Sequence, residues 1–190
     1  VSDAGVLKRM DYSHIKGGGA VKQIKQVIYT DHDTFTSTTY VQVDATNAAV
    51  TITPTASDSS FRIVFAISGG VANHDVGAGW NIFDSQVGVS DGDELMTDGG
   101  TNGNRLKAFQ GNTEYFGSSN TVDDYMCPVT TIDVMYTPSS NNGSARTFSL
   151  AGKKTHNNSG NLLLNHGQHD WSHSKVSTLQ VWEIANGIYT

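Results

Sequence analysis

The chain has 190 residues, a net charge of −6 and 16% charged side chains, and it is rich in Gly, Ser, Thr and Asn with only 3 Pro. This length can bury a full core as one domain, and the composition suits short strands joined by tight turns rather than a helical bundle. The acidic balance, with only Lys16, Lys22 and Lys25 as a sparse basic group, excludes a phosphate-tracking nucleic-acid binder. No run approaches the about 18 apolar residues of a membrane span, so no membrane insertion is expected. No signal peptide is expected either, since no charged segment leads into an apolar one. The single cysteine, Cys127, excludes an intrachain disulfide and reads as a buried small hydrophobe rather than a nucleophile.

Residues 1–20 differ from the rest. Val6–Tyr12 is a short stretch of apolar and charged residues, and Gly17-Gly18-Gly19 separates it from the body. Three glycines make a flexible joint, so the sequence predicts an N-terminal arm ordered only by packing on a neighbouring subunit or an upstream partner. A single β domain over residues 21–190 follows. Val21–Tyr29 reads as its first strand and Thr34–Tyr40 as a long Thr/Ser-rich strand. Tyr40–Val43 and Ala49–Thr53 are short strands around the turn Asp44–Asn47.

Phe61, Ile63, Phe65 and Ile67 alternate strictly. Val64 and Ala66 between them are also apolar, which predicts a central strand buried on both faces. From Ser68 to Asn104 the chain is Gly- and Asp-rich, with Trp80–Phe83 as its one strand-like piece and Asp91–Gly100 as a long surface loop of the kind that carries function. Ile132, Val134 and Tyr136 alternate with Thr131, Asp133 and Met135, giving a half-buried strand. Asn142-Gly143 supplies the positive φ of a hairpin turn, and His156–Gly160 reads the same way. Phe148 and Leu150 face one side of another strand, Leu162–Leu164 is a brief apolar run, and Ser177–Ile184 is the last strand. The fold expected is an all-β, antiparallel, jelly-roll-like sandwich, with its two terminal strands paired side by side in the core.

Several groups carry potential chemistry. His166, His169 and His173, with Asp170, place three imidazoles and a carboxylate within eight residues, the ligand types of a Zn or Ni site. Side chains alternate faces along a strand, so this spacing reads instead as an exposed loop anchored by Trp171. At a three-fold axis, three copies of one histidine would share one ion. Asp91, Asp93, Glu94 and Asp98 lack the ligand alternation of a calcium loop and read as a solvated acidic loop. Gly99–Asn104 follows no strand and has no Lys, which excludes a phosphate loop. Asp123-Asp124 and Asp31-His32-Asp33 are the acid–base candidates a glycan-degrading enzyme would need as paired carboxylates. Neither forms an assignable pair in sequence, so no enzyme and no cofactor are expected. Trp80, Tyr115, Phe116, Tyr125 and Trp171 lie near turns and are candidate sugar-stacking aromatics; the alternative for each is a core or interface anchor.

Read in order, several pieces resemble a domain of tailed-phage and marine-virus tail fibres and other virion proteins. They are the opening strand Lys22–Tyr29, the Ser/Thr-rich Thr34–Tyr40, the Thr51-Ile52-Thr53-Pro54-Thr55 strand end, the Ser-rich turn and apolar strand Ser57–Ile67, and the closing Ser177-Thr178-Leu179 with Glu183-Ile184. The resemblance covers the two ends of residues 21–185, and the chain departs from it over Ser68–Asn104 and near residue 170. It implies a virion structural protein, assembled in the host cytoplasm and displayed on the particle surface as a homotrimeric β-sandwich. It supplies no catalytic residues. A surplus of apolar strand faces at Val64, Ala66, Trp182 and Ile184 points independently to self-association. Three functions follow: the knob of a tail or head fibre contacting the host surface, a capsid-decorating (cement) protein, or a carbohydrate-binding module. The partners expected are further copies of the chain, other virion proteins through the arm, and a host surface glycan.

Overall fold

The computed structural model describes residues 2–3, 6–7, 20–71, 77–98, 110–113, 129–139, 141–154, 161–166 and 174–185. Every described regular element is a β-strand. In chain order they are β1 (Ser2–Asp3), β2 (Val6–Leu7), β3 (Val21–Tyr29), β4 (Asp33–Phe35), β5 (Val41–Gln42), β6 (Ala49–Ile52), β7 (Ser60–Val71), β8 (Gly77–Asp84), β9 (Gln110–Thr113), β10 (Val129–Tyr136), β11 (Arg146–Lys154), β12 (Leu162–Leu164) and β13 (Ser177–Ile184). Within the arm, β1 and β2 pair only with each other. The triple glycine and the arm residues Met10 and Tyr12 lie outside the described residues.

Two antiparallel sheets make the body. In the first, β3 pairs with β13, β13 with β7, and β7 with β10. The short β4 and β12 continue the lines of β3 and β13, and β12 reaches the far end of β7. In the second, β6 and β5 run in tandem along one edge of β11, β8 along its other edge, and β9 beyond β8. Of the eight principal strands, β3, β6, β7, β8, β9, β10, β11 and β13, the first pairs with the last, the second with the seventh, the third with the sixth and the fourth with the fifth. The chain is therefore one long antiparallel ribbon rolled into two layers, the jelly-roll arrangement. Packing of β6 against β3 and β13, and of β9 against β10, closes the two sides.

The period-2 pattern dictates what lies between the layers. Phe61, Ile63, Phe65 and Ile67 of β7, Leu179 and Val181 of β13, Ile132 of β10, Phe148 and Leu150 of β11, and Trp80 and Ile82 of β8 are all fully buried. Phe61 and Phe148 meet across the sheets with ring centroids 5.2 Å apart. Gly152 of β11 makes room for this packing. A Cβ there would stand 2.7 Å from Phe35 Cζ and 2.9 Å from Trp80 Cζ3.

Three expectations need correction. First, the Thr34–Tyr40 strand stops at Phe35, because Ser37 turns its hydroxyl back on the chain. It donates to the Thr39 carbonyl at 2.7 Å and accepts the Thr39 N–H at 3.2 Å, a local alternative to a ladder. Second, β7 is central but buried on one face only; Val64 and Ala66 on its other face are half-buried. Third, β3 does pair with β13, yet it forms the edge of its sheet. The Asn142-Gly143 turn matches its expectation, with Gly143 at φ 76°. The turn expected at His156–Gly160 lies outside the described residues except by its flanks, β11 and β12.

Truncating Phe65 to Ala empties a site enclosed by both sheets. The expected loss is about 3–5 kcal/mol of unfolding free energy in a urea titration. A loss below about 1 kcal/mol would contradict the core assignment.

Candidate functional site

Of the sequence-derived aromatic candidates, Trp80 is fully buried. Its ring sits against Gly69 and Gly152 and meets Phe35 edge-on at 6.0 Å. It is a core side chain and not a ligand platform, a correction of the expectation. Tyr115, Phe116, Tyr125, Trp171, His169, His173, Cys127, Asp123 and Asp124 lie outside the described residues. His166 follows β12. Its Nε2 lies 3.2 Å from the Asp33 carbonyl oxygen and 3.4 Å from Thr34 Oγ1, and its ring stacks on His32 at 5.2 Å. Among the described residues no three His, Cys, Asp or Glu side chains converge to hold a metal.

The acidic loop is occupied with its own architecture. Asp91 Oδ1 accepts the Tyr40 N–H at 2.9 Å, Asp93 Oδ2 accepts the Ser90 N–H at 3.0 Å, and Glu94 accepts the Gly92 N–H at 3.0 Å. Asp98 takes Lys153 Nζ at 2.7 Å and the Tyr40 hydroxyl at 2.9 Å. Lys153 Nζ also lies 3.9 Å from the centre of the Tyr40 ring. These contacts fold the loop and the segment around Tyr40 over the outer face of the second sheet, where Tyr40, Phe83 and Ala151 form a small second core. All of β8 is consequently buried.

Two buried charged groups escaped the sequence reading. Glu183 of β13 is fully buried. Its Oε1 accepts the Ser59 hydroxyl at 2.5 Å and the Thr55 N–H and hydroxyl at 2.7 and 2.8 Å, while Oε2 accepts Gln23 Nε2 at 2.7 Å. Burial pushes this carboxyl up, but the Ser59, Gln23 and Thr55 donors outweigh it and hold it below its ordinary value of 4.5. Asp84 of β8 forms a buried ion pair with Arg146 of β11. Arg146 Nε donates to Asn141 Oδ1 at 2.9 Å, and the Tyr136 hydroxyl donates to Asp84 Oδ2 at 3.2 Å. Burial, and then the Asp84 charge, push the Tyr136 phenol up. Asp84 and Arg146 pair with each other, and Glu183 is satisfied by hydrogen bonds from neutral donors, as burial demands. Their role is to hold the fold.

The candidate functional surface is the outer face of the first sheet. Opposite the core residues, the alternation turns Ile24 and Ile28 of β3, Trp182 of β13, Val64 and Ala66 of β7, and Val129 of β10 outward. Register sets Trp182 directly between Ile24 and Arg62, with Met135 beyond Arg62. The Arg62 guanidinium lies 5.6 Å from the Trp182 ring centre and forks onto Asp133 at 2.8 and 2.6 Å. That fork, foremost, holds the Asp133 carboxyl below the usual range. Ile24, Ile28 and Val129 are 50%, 57% and 62% exposed. Lys22 lies on the β3 edge, Lys25, paired with Val181, turns to the opposite face, and Asp133 is paired with Arg62.

No protein-family model matches the chain, and no curated protein matches it.

The Glu183 cluster generates a pH-dependent outcome. Because its folded carboxyl titrates below its unfolded one, its stabilisation is complete above 4.5 and is lost as pH falls further, through the folded value. Glu183→Gln is expected to cost about 2 kcal/mol at neutral pH. The gap from the unaltered protein should narrow on acidification in urea titrations. A gap that stays constant with pH would refute the assignment.

Proposed function

We propose that the chain is a non-enzymatic virion structural subunit, the knob of a tail or head fibre that meets the host surface as a homotrimer. The observation carrying this reading is the exposed face built on Ile24, Val64, Ala66, Trp182 and Val129. Apolar area left in water costs about 25 cal/mol per Å², and patches of this kind mark association sites. A closed ring of three such faces would bury them without a leftover surface. Jelly rolls recur in viral capsid and lectin domains, which agrees with the reading at the level of fold alone. The placement of Ala20 agrees with a knob: where the arm joins, Ala20 accepts the Ala185 N–H at 2.9 Å, at one end of the sandwich. The arm would then join other virion proteins.

Light scattering on the intact chain is expected to give a trimer, and Trp182→Glu together with Ile24→Glu to give a folded monomer. A stable monomer of the unaltered chain at micromolar concentration would overturn the proposal. A copy number per particle equal to that of the capsid subunits would assign it to capsid decoration instead. Incubation with host envelope is expected to release no saccharide. Release abolished by Asp123→Ala or Asp124→Ala would establish an enzyme.

A further inference from the structure

At the end of the sandwich opposite Ala20, the C-terminal part of β3 and the turn after β5 enclose an open depression of about 260 Å³ lined by Val27, Ile28, Thr30, Asp31, Thr46 and Asn47. Eight residue steps of β3 separate it from the strand's start, about 26 Å at the rise of a strand. Both walls are fixed from behind. Asn165, fully buried and at φ 62°, donates Nδ2 to the Tyr29 and Asp31 carbonyls at 2.9 and 3.0 Å and accepts the Ser177 hydroxyl at 2.7 Å. Asp44 accepts the Thr46 and Asn47 N–H groups at 2.8 and 2.9 Å and Asn47 Nδ2 at 3.0 Å. The side chains that face the depression are less committed. The Asp31 carboxylate, the Thr30 and Thr46 hydroxyls and the Asn47 side-chain oxygen have no hydrogen-bond or ion-pair partner among the described residues. Two preorganised walls therefore present unpartnered polar groups beside an aliphatic residue, Ile28, that is 57% exposed.

We propose that this depression is a binding site for a neutral saccharide, with Asp31 and Asn47 accepting its hydroxyls and Ile28 packing on a C–H face of the ring. The lining offers the Asp31 carboxylate, the Asn47 amide oxygen and two threonine hydroxyls that both donate and accept, so it fits a ligand that brings many O–H groups. The carboxylates of Asp31, Asp33 and Asp44 around it select against anionic sugars. A bare cation would use the carboxylate and gain nothing from the aliphatic wall. The rigid backing lowers the ordering cost of binding. That the sugar belongs to a host surface rests on the proposed function; the site itself does not.

The test is saturation-transfer NMR and calorimetry on the intact chain with a panel of neutral hexoses and their oligomers, one sialylated oligosaccharide, and EDTA throughout one arm. A neutral member of the panel is expected to bind with and without EDTA, and the sialylated one not to bind. Asp31→Ala and Asn47→Ala should each weaken binding about tenfold, near the worth of one lost hydrogen bond, at an unchanged thermal midpoint. The proposal is overturned by no binding of any neutral sugar, by binding that EDTA abolishes, by binding of the sialylated sugar alone, or by full affinity in both variants. A chain that binds sugar as a monomer keeps the site and removes the trimeric knob, whereas a trimer that binds none removes the site alone.

Discussion

The fold depends on one buried carboxylate. Glu183, on β13, collects donors from Gln23 of β3 and from Thr55 and Ser59 in the crossing between β6 and β7. These segments are far apart in the chain and are the ones a jelly roll must bring together to close. A carboxylate out of water is tolerated only when its donors are all present. Any register of β13 that misplaced Gln23, Thr55 or Ser59 would leave the charge unpaired. The polar knot thus penalises wrong pairings in a way that an apolar side chain would not.

The same chemistry continues through Ser59. Its hydroxyl serves Glu183, and its carbonyl accepts Asn141 Nδ2 at 2.8 Å. Asn141 holds Arg146, which holds Asp84. One hydrogen-bonded chain therefore crosses from the first sheet to the second at the end where the arm departs. At the other end Asn165, Ser177 and Ser68 do comparable work: Ser177 Oγ accepts the Ser68 N–H at 3.0 Å, and the Ser68 hydroxyl donates to the Val176 carbonyl at 3.0 Å. There the Tyr29 hydroxyl donates a hydrogen bond to Asp33, and burial followed by that carboxylate pushes the phenol up. An apolar core stoppered at both ends by satisfied polar networks leaves the outer faces free to differ. The second sheet covers its outer face with its own loops; among the described residues nothing covers the outer face of the first.

Much of the layering was legible in the residues. The alternation at Phe61–Ile67 located the central strand, and Ile132–Tyr136 located its half-buried neighbour. The motif pieces near Gln23, Thr55, Ser59 and Glu183 were noticed as a pattern, but their reason, convergence on one carboxylate, was visible only in three dimensions. A signal for the buried charges did exist. Glu183 is in phase with Leu179 and Val181, and Arg146 with Phe148 and Leu150, so both stand on the inward face. Trp80 misled because flanking glycines resemble a turn; Gly152 and Gly69 in fact make space for its ring. The depression beside Asp31 was not legible, since its two walls, residues 27–31 and the turn at Thr46 and Asn47, are separate in the chain and meet only in the folded protein.

The position of β13 has a consequence for synthesis. It lies between β3, made first, and β7, made midway, and it is the only described strand that joins them. Until Ser177–Ile184 has left the ribosome, the first sheet exists as two separate pieces, each with an unsatisfied edge and an apolar face. Such edges template pairing with other chains, and long-range β pairing is slow. Nascent chains crowded on one message are therefore exposed to one another throughout the interval between the synthesis of β3 and that of β13, which closes it in a single step.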